Sequence, residues 1–319
     1  MKAHLENFFV VTVISNFCRY ERRPQLYHRF KEMCEHARVP LITVELTTPQ
    51  RSFECTEEGN DHHLQLRSKE EFWHKENLLN LGIAHGRKLF PKAEKVAWID
   101  ADCASARNPR DWFAETWHEL EHYKIVQMWE WLQPLDHWYS PLCPPNPSFM
   151  ANYVKYGTPY PKAEKGYPHQ WGSPGLAWAA NLENLIEIGG ICDTHVLGGA
   201  DWWFSHLITR GDPVPGLEKY TKGFQDKFLH QQTLAERWIK RDVGYVRGLV
   251  YHWYHGKTVN RGYNTRENIL IDGRFDPNTD LKRDCHGVYQ METWEPRQIK
   301  MYDQIRKYFR FRNEDDITV

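Results

Sequence analysis

Paired cysteines are missing from this 319-residue chain. Its seven, Cys18, Cys34, Cys55, Cys103, Cys143, Cys192 and Cys285, are odd in number, scattered, and never spaced as CxxC. That excludes a disulfide framework or a zinc knuckle as the organising feature and implies a reducing compartment. Long apolar runs are missing too. After Met1-Lys-Ala-His-Leu-Glu-Asn7 the chain enters a strand without a stretch long enough for a signal peptide or a membrane span, so a soluble, cytoplasmic protein is expected. Net charge is only −1, which argues against a protein devoted to non-specific nucleic-acid binding. No glycine-rich phosphate loop follows the first strand and the histidines are not clustered, which disfavours nucleotidyltransferase and phosphohydrolase chemistry.

What is present is a chain organised around Lys95-Val-Ala-Trp-Ile-Asp-Ala-Asp-Cys103. Val96 to Ile99 form the short apolar run of a strand buried on both faces, and the run stops at Asp100 and Asp102. Two carboxylates separated by one residue converge if the chain turns there, and hard oxygens suit Mg²⁺ or Mn²⁺. Alternatively, the pair caps the following turn.

Around this centre the pattern alternates strand and helix. Phe8 to Ser15 reads as the first strand, followed by a loop and a helix from Pro24 to about Arg38. Arg19, Arg22 and Arg23 surround that helix start, a place suited to phosphate. Leu41 to Leu46 is a second strand and Thr47 to Asp61 a loop. Glu70 to Gly86 reads as a helix with Trp73, Lys75, Asn77 and Asn80 on or beside its apolar face. Asp111 begins a helix to His122, and Lys124 to Trp129 is a strand. Residues 131–170 lose periodicity and read as an insertion or lid. Gly175 to Ala180 is a small-residue strand, Asn181 to Ile188 a short helix, and Gly198-Gly-Ala-Asp201 leads into an aromatic helix from Trp202. There Asp201 either caps the helix or accepts a hydroxyl proton. A helix from Phe224 to Arg241 and a strand from Val243 to Val250 run into Tyr251-His-Trp-Tyr-His-Gly-Lys257. His252 and His255 there are structural or complete a metal site. Arg261 and Arg266 suit bidentate contact with a diphosphate. The final helix, Arg297 to Arg312, is expected to pack Tyr302, Ile305 and Phe309 inward and to leave its charges in water, as are those of Asn313-Glu-Asp-Asp316.

Taken in order, these stretches resemble the metal-dependent GT-A fold glycosyltransferases. Ile99-Asp-Ala-Asp102 is similar to their DxD element. Asn16-Phe-Cys-Arg-Tyr-Glu-Arg22 is similar to the nucleotide-receiving loop of β-galactosyltransferases, and Phe72-Trp-His-Lys-Glu-Asn-Leu-Leu-Asn-Leu-Gly82 to their Phe-Asn-Arg-x-x-Leu-Leu-Asn-x-Gly helix. Gly175 to Ala180 and Gly198-Gly-Ala-Asp201 resemble the acceptor-side strand and the glycine-acidic motif. His255-Gly256, with His252 before it, resembles the late metal-site histidine.

The resemblance implies an α/β fold with a Rossmann-like mixed sheet flanked by helices and the acidic pair at a central strand end. It divides one domain over 1–319 into a nucleotide-sugar half (8–130), the insertion or lid (131–170), an acceptor side with the metal-site histidine (171–266) and a C-terminal helical extension (267–319). It further implies Mn²⁺ or Mg²⁺ held by Asp102 and His255, with Asp100 a further ligand or a ribose contact and His252 the alternative histidine. A nucleotide-diphosphate sugar, UDP-sugar favoured, would be positioned by Ser15, Arg19, Arg22, Lys75 and Asn80 and closed over by Lys257, Arg261 and Arg266. Asp201 would be the catalytic base if the reaction inverts. The acceptor is left open among a glycan, a protein side chain and a hydroxymethylated pyrimidine in DNA of the kind phage enzymes modify, with the basic helix 297–312 and the aromatic 131–170 segment holding a flipped base. The competing expectation is an inactive carbohydrate- or nucleotide-binding protein.

Overall fold

The computed structural model describes residues 3–161, 171–209 and 214–317. In chain order the strands are β1 (Phe8–Ser15), β2 (Leu41–Thr47), β3 (His63–Arg67), β4 (Lys95–Ile99), β5 (Cys103–Ser105), β6 (Ile125–Gln127), β7 (Trp131–Pro134), β8 (Asn146–Pro147), β9 (Ala177–Asn181), β10 (Val243–Tyr245), β11 (Leu249–His252), β12 (Leu281–Arg283) and β13 (Tyr289–Met291). The helices are α1 (Arg22–Ala37), α2 (Lys75–Leu89), α3 (Pro109–Glu119), α4 (Phe149–Tyr156), α5 (Leu182–Glu187), α6 (Ala200–Thr209), α7 (Lys222–Trp238), α8 (Asn268–Asp272) and α9 (Pro296–Phe311).

Seven strands form the main sheet in the order β10-β6-β9-β4-β1-β2-β3. β9 runs antiparallel to both β4 and β6, and the other pairings are parallel. The fold is therefore α/β with a mixed sheet between helices. The period-2 alternation of β1 explains the layering. Phe9 and Val11 join one apolar cluster with Leu78 and Leu79 of α2, while Phe8 and Val10 join another with Phe30 of α1 and Phe113 of α3. Burying each such phenylalanine contributes about 1.5–3 kcal/mol. Because β9 is reversed, its start and the ends of β1 and β4 lie at the same edge of the sheet. That edge carries the site.

A second sheet, β5-β11-β7-β8, sits at this edge. β11 pairs antiparallel with β5, placing His252 opposite Cys103, and Trp253 N donates to Asp102 O at 2.8 Å. Residues far apart in sequence are thus clamped side by side.

Several expectations are corrected. The strand expected over 243–250 is two strands in different sheets, because the chain turns at Gly248, which takes φ 121. Glu70 to His74 is not helical: Trp73 N is drawn to Val196 O at 2.9 Å, and α2 begins only at Lys75. The aromatic helix begins at Ala200, so Asp201 lies in its first turn rather than before it. Residues 131–161 are not aperiodic; they hold β7, β8 and α4, whose Phe149 and Met150 are fully buried. The rest of that segment, 162–170, lies outside the described residues. Strand β3 went unread because its polar sequence, His-Leu-Gln-Leu-Arg, sits at the sheet edge. The last helix does pack Ile305 and Phe309 inward, but its charges are not simply in water. Arg297 pairs with Asp280, Arg306 and Arg310 with Glu71, and Arg312 with Glu314, the last two both buried.

All seven cysteines are free thiols. Among the described residues no helix is long and apolar enough to cross a membrane.

Candidate active site

A cavity of about 440 Å³ opens at the carboxyl edge of the main sheet, within the range of small-molecule and cofactor sites. The ends of β1 and β4, the start of α2, the turn before β9, the first turn of α6 and the 252–266 segment all contribute to its wall.

On one side Asp102, His252 and His255 offer ligand atoms all within 4.8 Å of one another. His255 Nε2 lies 2.8 Å from Asp102 Oδ2, 3.1 Å from His252 Nε2 and 2.9 Å from Arg261 Nη2. Asp102 Oδ1 is buried without a hydrogen-bond partner, with His252 Nε2 at 3.8 Å. Burial pushes the Asp102 carboxyl up, but the adjacent His255, His252 and Arg261 outweigh it and hold the group well below the usual carboxylate range. Burial lowers His252 to about 3, so it is a neutral imidazole near neutral pH. One carboxylate with an orphaned buried oxygen, together with a neutral imidazole and a second histidine at the same point, is a donor set that fits a divalent cation.

A second group of carboxyls lines the same cavity. Lys75, the first residue of α2, reaches Asp100 Oδ1 at 2.5 Å. Burial would lower Lys75, but Asp100, Glu76 and Asp201 together hold it protonated above its ordinary value. Asp100 is raised by burial despite Lys75, and it is not in the three-residue cluster. Asp201 lines the cavity close against Gly175: a Cβ there would stand 2.8 Å from Asp201 Oδ2 and displace that carboxylate. Glu76, buried with Oε2 unpartnered, is pushed up to about 8 by desolvation.

Ser15, Lys75, Asp100, Asp102, Asp201, His252, His255, Arg261 and Arg266 all line this one cavity. Four expected contacts do not. Arg19 is exposed in a left-handed conformation with φ 59. Arg22 lies over the Tyr254 ring. Asn80 is committed to the Ile191 backbone through two hydrogen bonds of 2.8 and 2.9 Å. Lys257 Nζ sits 4.0 Å from Asp316 Oδ2. Arg23, read from the sequence as one of the arginines at a phosphate-suited helix start, lines the cavity, as do Glu76, Trp73, Arg312 and Glu314, to which the sequence reading gave no site role. Of these four, only Glu76 carried a signal: a carboxyl in the first turn of a helix whose neighbours on that face are apolar.

No protein-family model and no curated protein matches the chain. Among solved structures, it is similar to the catalytic domain of Drosophila beta-1,4-galactosyltransferase 7 with xylobiose, at 10% identity over 93% of this chain and 98% of that one, with a TM-score of 0.36. A mutant of that enzyme with manganese, UDP-Gal and xylobiose aligns at 10% identity over 92% and 98%, with a TM-score of 0.40. Mannose-1-phosphate geranyltransferase from Thermus thermophilus aligns at 12% identity over 76% and 75%, with a TM-score of 0.36.

Proposed function

We propose that the protein is a metal-dependent glycosyltransferase of the GT-A type, moving a sugar from a nucleotide-diphosphate donor, UDP-sugar favoured, to a hydroxyl acceptor. The observation that carries this reading is the meeting, in one cavity, of the Asp102, His252 and His255 cluster with Lys75, Arg261, Arg266 and Asp201. Asp102, His252 and His255 would hold Mn²⁺ or Mg²⁺, which when bound neutralises charge on the departing diphosphate. Arg261 and Arg266 donate to phosphate oxygens in the same sense. Lys75 holds Asp100 in place, leaving that carboxylate to orient the donor. For an inverting reaction, Asp201 accepts the proton of the acceptor hydroxyl. The new bond from that oxygen to the anomeric carbon forms as the bond from the anomeric carbon to the diphosphate oxygen breaks.

The four arginines of the helix expected to help hold a flipped DNA base, Arg297, Arg306, Arg310 and Arg312, are each paired with a carboxylate of the same chain, which favours a glycan or protein hydroxyl as acceptor. The test is nucleotide release from UDP-, GDP- and CDP-sugars with Mn²⁺, with and without pooled glycan acceptors. The reading expects release from one donor that depends on metal and rises with acceptor. Binding of nucleotide without turnover across all donors and acceptors would instead support an inactive binding protein.

A further inference from the structure

The two arginines assigned to the diphosphate, Arg261 and Arg266, are joined by a residue outside every motif read from the sequence. Tyr308 lies near the end of α9, is buried, and is not among the residues that line the cavity. Its hydroxyl accepts from Arg266 Nη1 at 3.1 Å and donates to Arg261 O at 3.2 Å. Those roles follow from chemistry: a guanidinium only donates, a carbonyl only accepts, and a hydroxyl does both at once.

Around this link Arg266 sits in a fitted slot. Its guanidinium carbon lies 5.1 Å from the centroid of the Tyr263 ring. Two consecutive glycines flank it, Gly198 at φ 95 and Gly199 at φ 97; a Cβ on the first would stand 3.4 Å from Arg266 Nη1, and one on the second 3.0 Å from Nη2. Glu267 Oε1 stands 3.8 Å from Arg266 Nε, beyond hydrogen-bond reach, and that nitrogen has no partner. The other oxygen of Glu267 is engaged by His195 Nε2 at 2.8 Å and by Tyr220 Oη. Among the described residues, Tyr308 Oη is therefore the acceptor that fixes the direction of the Arg266 guanidinium. Arg261 directs its own Nη groups to Tyr263 Oη at 3.0 Å and His255 Nε2 at 2.9 Å, so its carbonyl is the tie to Tyr308.

We propose that Tyr308 is a positioning residue for the donor diphosphate: its hydroxyl, tied to the Arg261 carbonyl, holds the Arg266 guanidinium in place relative to Arg261. A charged group held in position before the ligand arrives loses less freedom on binding. This rests on the reading of Arg261 and Arg266 as diphosphate contacts, and it adds that the C-terminal helix sets the affinity of the donor site without touching the donor.

Two measurements on the full chain test it. NMR of ¹⁵N-arginine-labelled protein without nucleotide or metal reads rotation of the Arg266 guanidinium, with Arg266→Met supplying the assignment. Separate Nη signals are expected in the wild type and merged ones in Tyr308→Phe. Merged signals in the wild type overturn the proposal even if no variant folds, and so do unchanged signals in Tyr308→Phe. Calorimetric titration with UDP in the presence of Mn²⁺ compares wild type, Tyr308→Phe and Tyr302→Phe; the Tyr302 hydroxyl, on the same helix, accepts from Glu71 N at 2.9 Å rather than from an arginine. Tyr308→Phe is expected to weaken UDP about 10-fold and Tyr302→Phe less than about twofold. In the Arg266→Met background, Tyr308→Phe is expected to add less than about twofold. Equal affinity of wild type and Tyr308→Phe, equal weakening by both phenylalanine variants, or the same loss in both backgrounds overturns the assignment. If the wild type itself binds no UDP, the reading of a UDP donor fails, while the rotation measurement still decides the role of Tyr308.

Discussion

The two walls of the cavity contain the same kind of group in opposite circumstances. Around Asp102 and Glu314, carboxylates are surrounded by His252, His255, Arg23, Arg261 and Arg312, and both are held well below their ordinary range despite burial. Around Asp100 and Glu76, burial is offset by Lys75 alone, and both are raised. The first wall is built to keep negative charge where a cation would sit. In the second, burial outweighs the one lysine and disfavours the charged form of Asp100 and Glu76. The contrast comes from counting cations within reach, not from the identity of the acids.

The largest effect expected from breaking this division is on the cation wall. Asp102→Ala is expected to lower transfer by about 100- to 1,000-fold and to abolish the stabilisation given by Mn²⁺ with nucleotide, because the only carboxylate of the cluster is gone. On the other wall, Asp201→Asn is expected to lower the transfer rate by about 100- to 10,000-fold while leaving metal and nucleotide binding intact, as judged by thermal shift. Loss of binding in that variant would remove the distinction between the walls. Lys75→Met, which strips Asp100 of its counter-charge, is expected to raise the donor KM about 10-fold and to cost about 1–3 kcal/mol in stability by urea unfolding.

The subtlest test is of Glu76. Its folded carboxyl titrates near 8, above an unfolded value of about 4.3. The folded protein therefore binds that proton more tightly. The stability so gained is complete below the unfolded value and is lost as pH rises through the folded one. The charged or titratable groups that act on Glu76 are Lys75, Asp201 and Asp100. Glu76→Gln removes the penalty, so the variant's thermal midpoint should gain on the wild type as pH rises from about 4 to about 8. A constant difference would mean that Glu76 does not titrate in this range.

Much of this was legible in the sequence because it follows from local pattern. The run Val96 to Ile99 ending in Asp100 and Asp102 reads as a buried strand with acids at its end, and His255 followed by Gly256 marks a turn. The structure unites them through the pairing of β11 with β5. What could not be read was set by tertiary contact. Asn313-Glu-Asp-Asp316 looks like a solvated acidic run, and only the fold shows Glu314 meeting Arg23 and Arg312 in the interior. Asn80 matched a motif yet is spent on the Ile191 backbone. Arg19 and Arg22 stand in the expected loop, but neither is among the residues that line the cavity, and Arg22 lies over the Tyr254 ring.

The most direct test of the central claim is the thermal midpoint of wild type and Asp102→Ala with UDP, GDP or CDP, each with and without Mn²⁺. A ligand that binds only the native state raises that midpoint. The account predicts that one nucleotide, UDP favoured, stabilises the wild type only when Mn²⁺ is present, and that Asp102→Ala loses the effect. Stabilisation that is indifferent to metal, or that survives in Asp102→Ala, would contradict it.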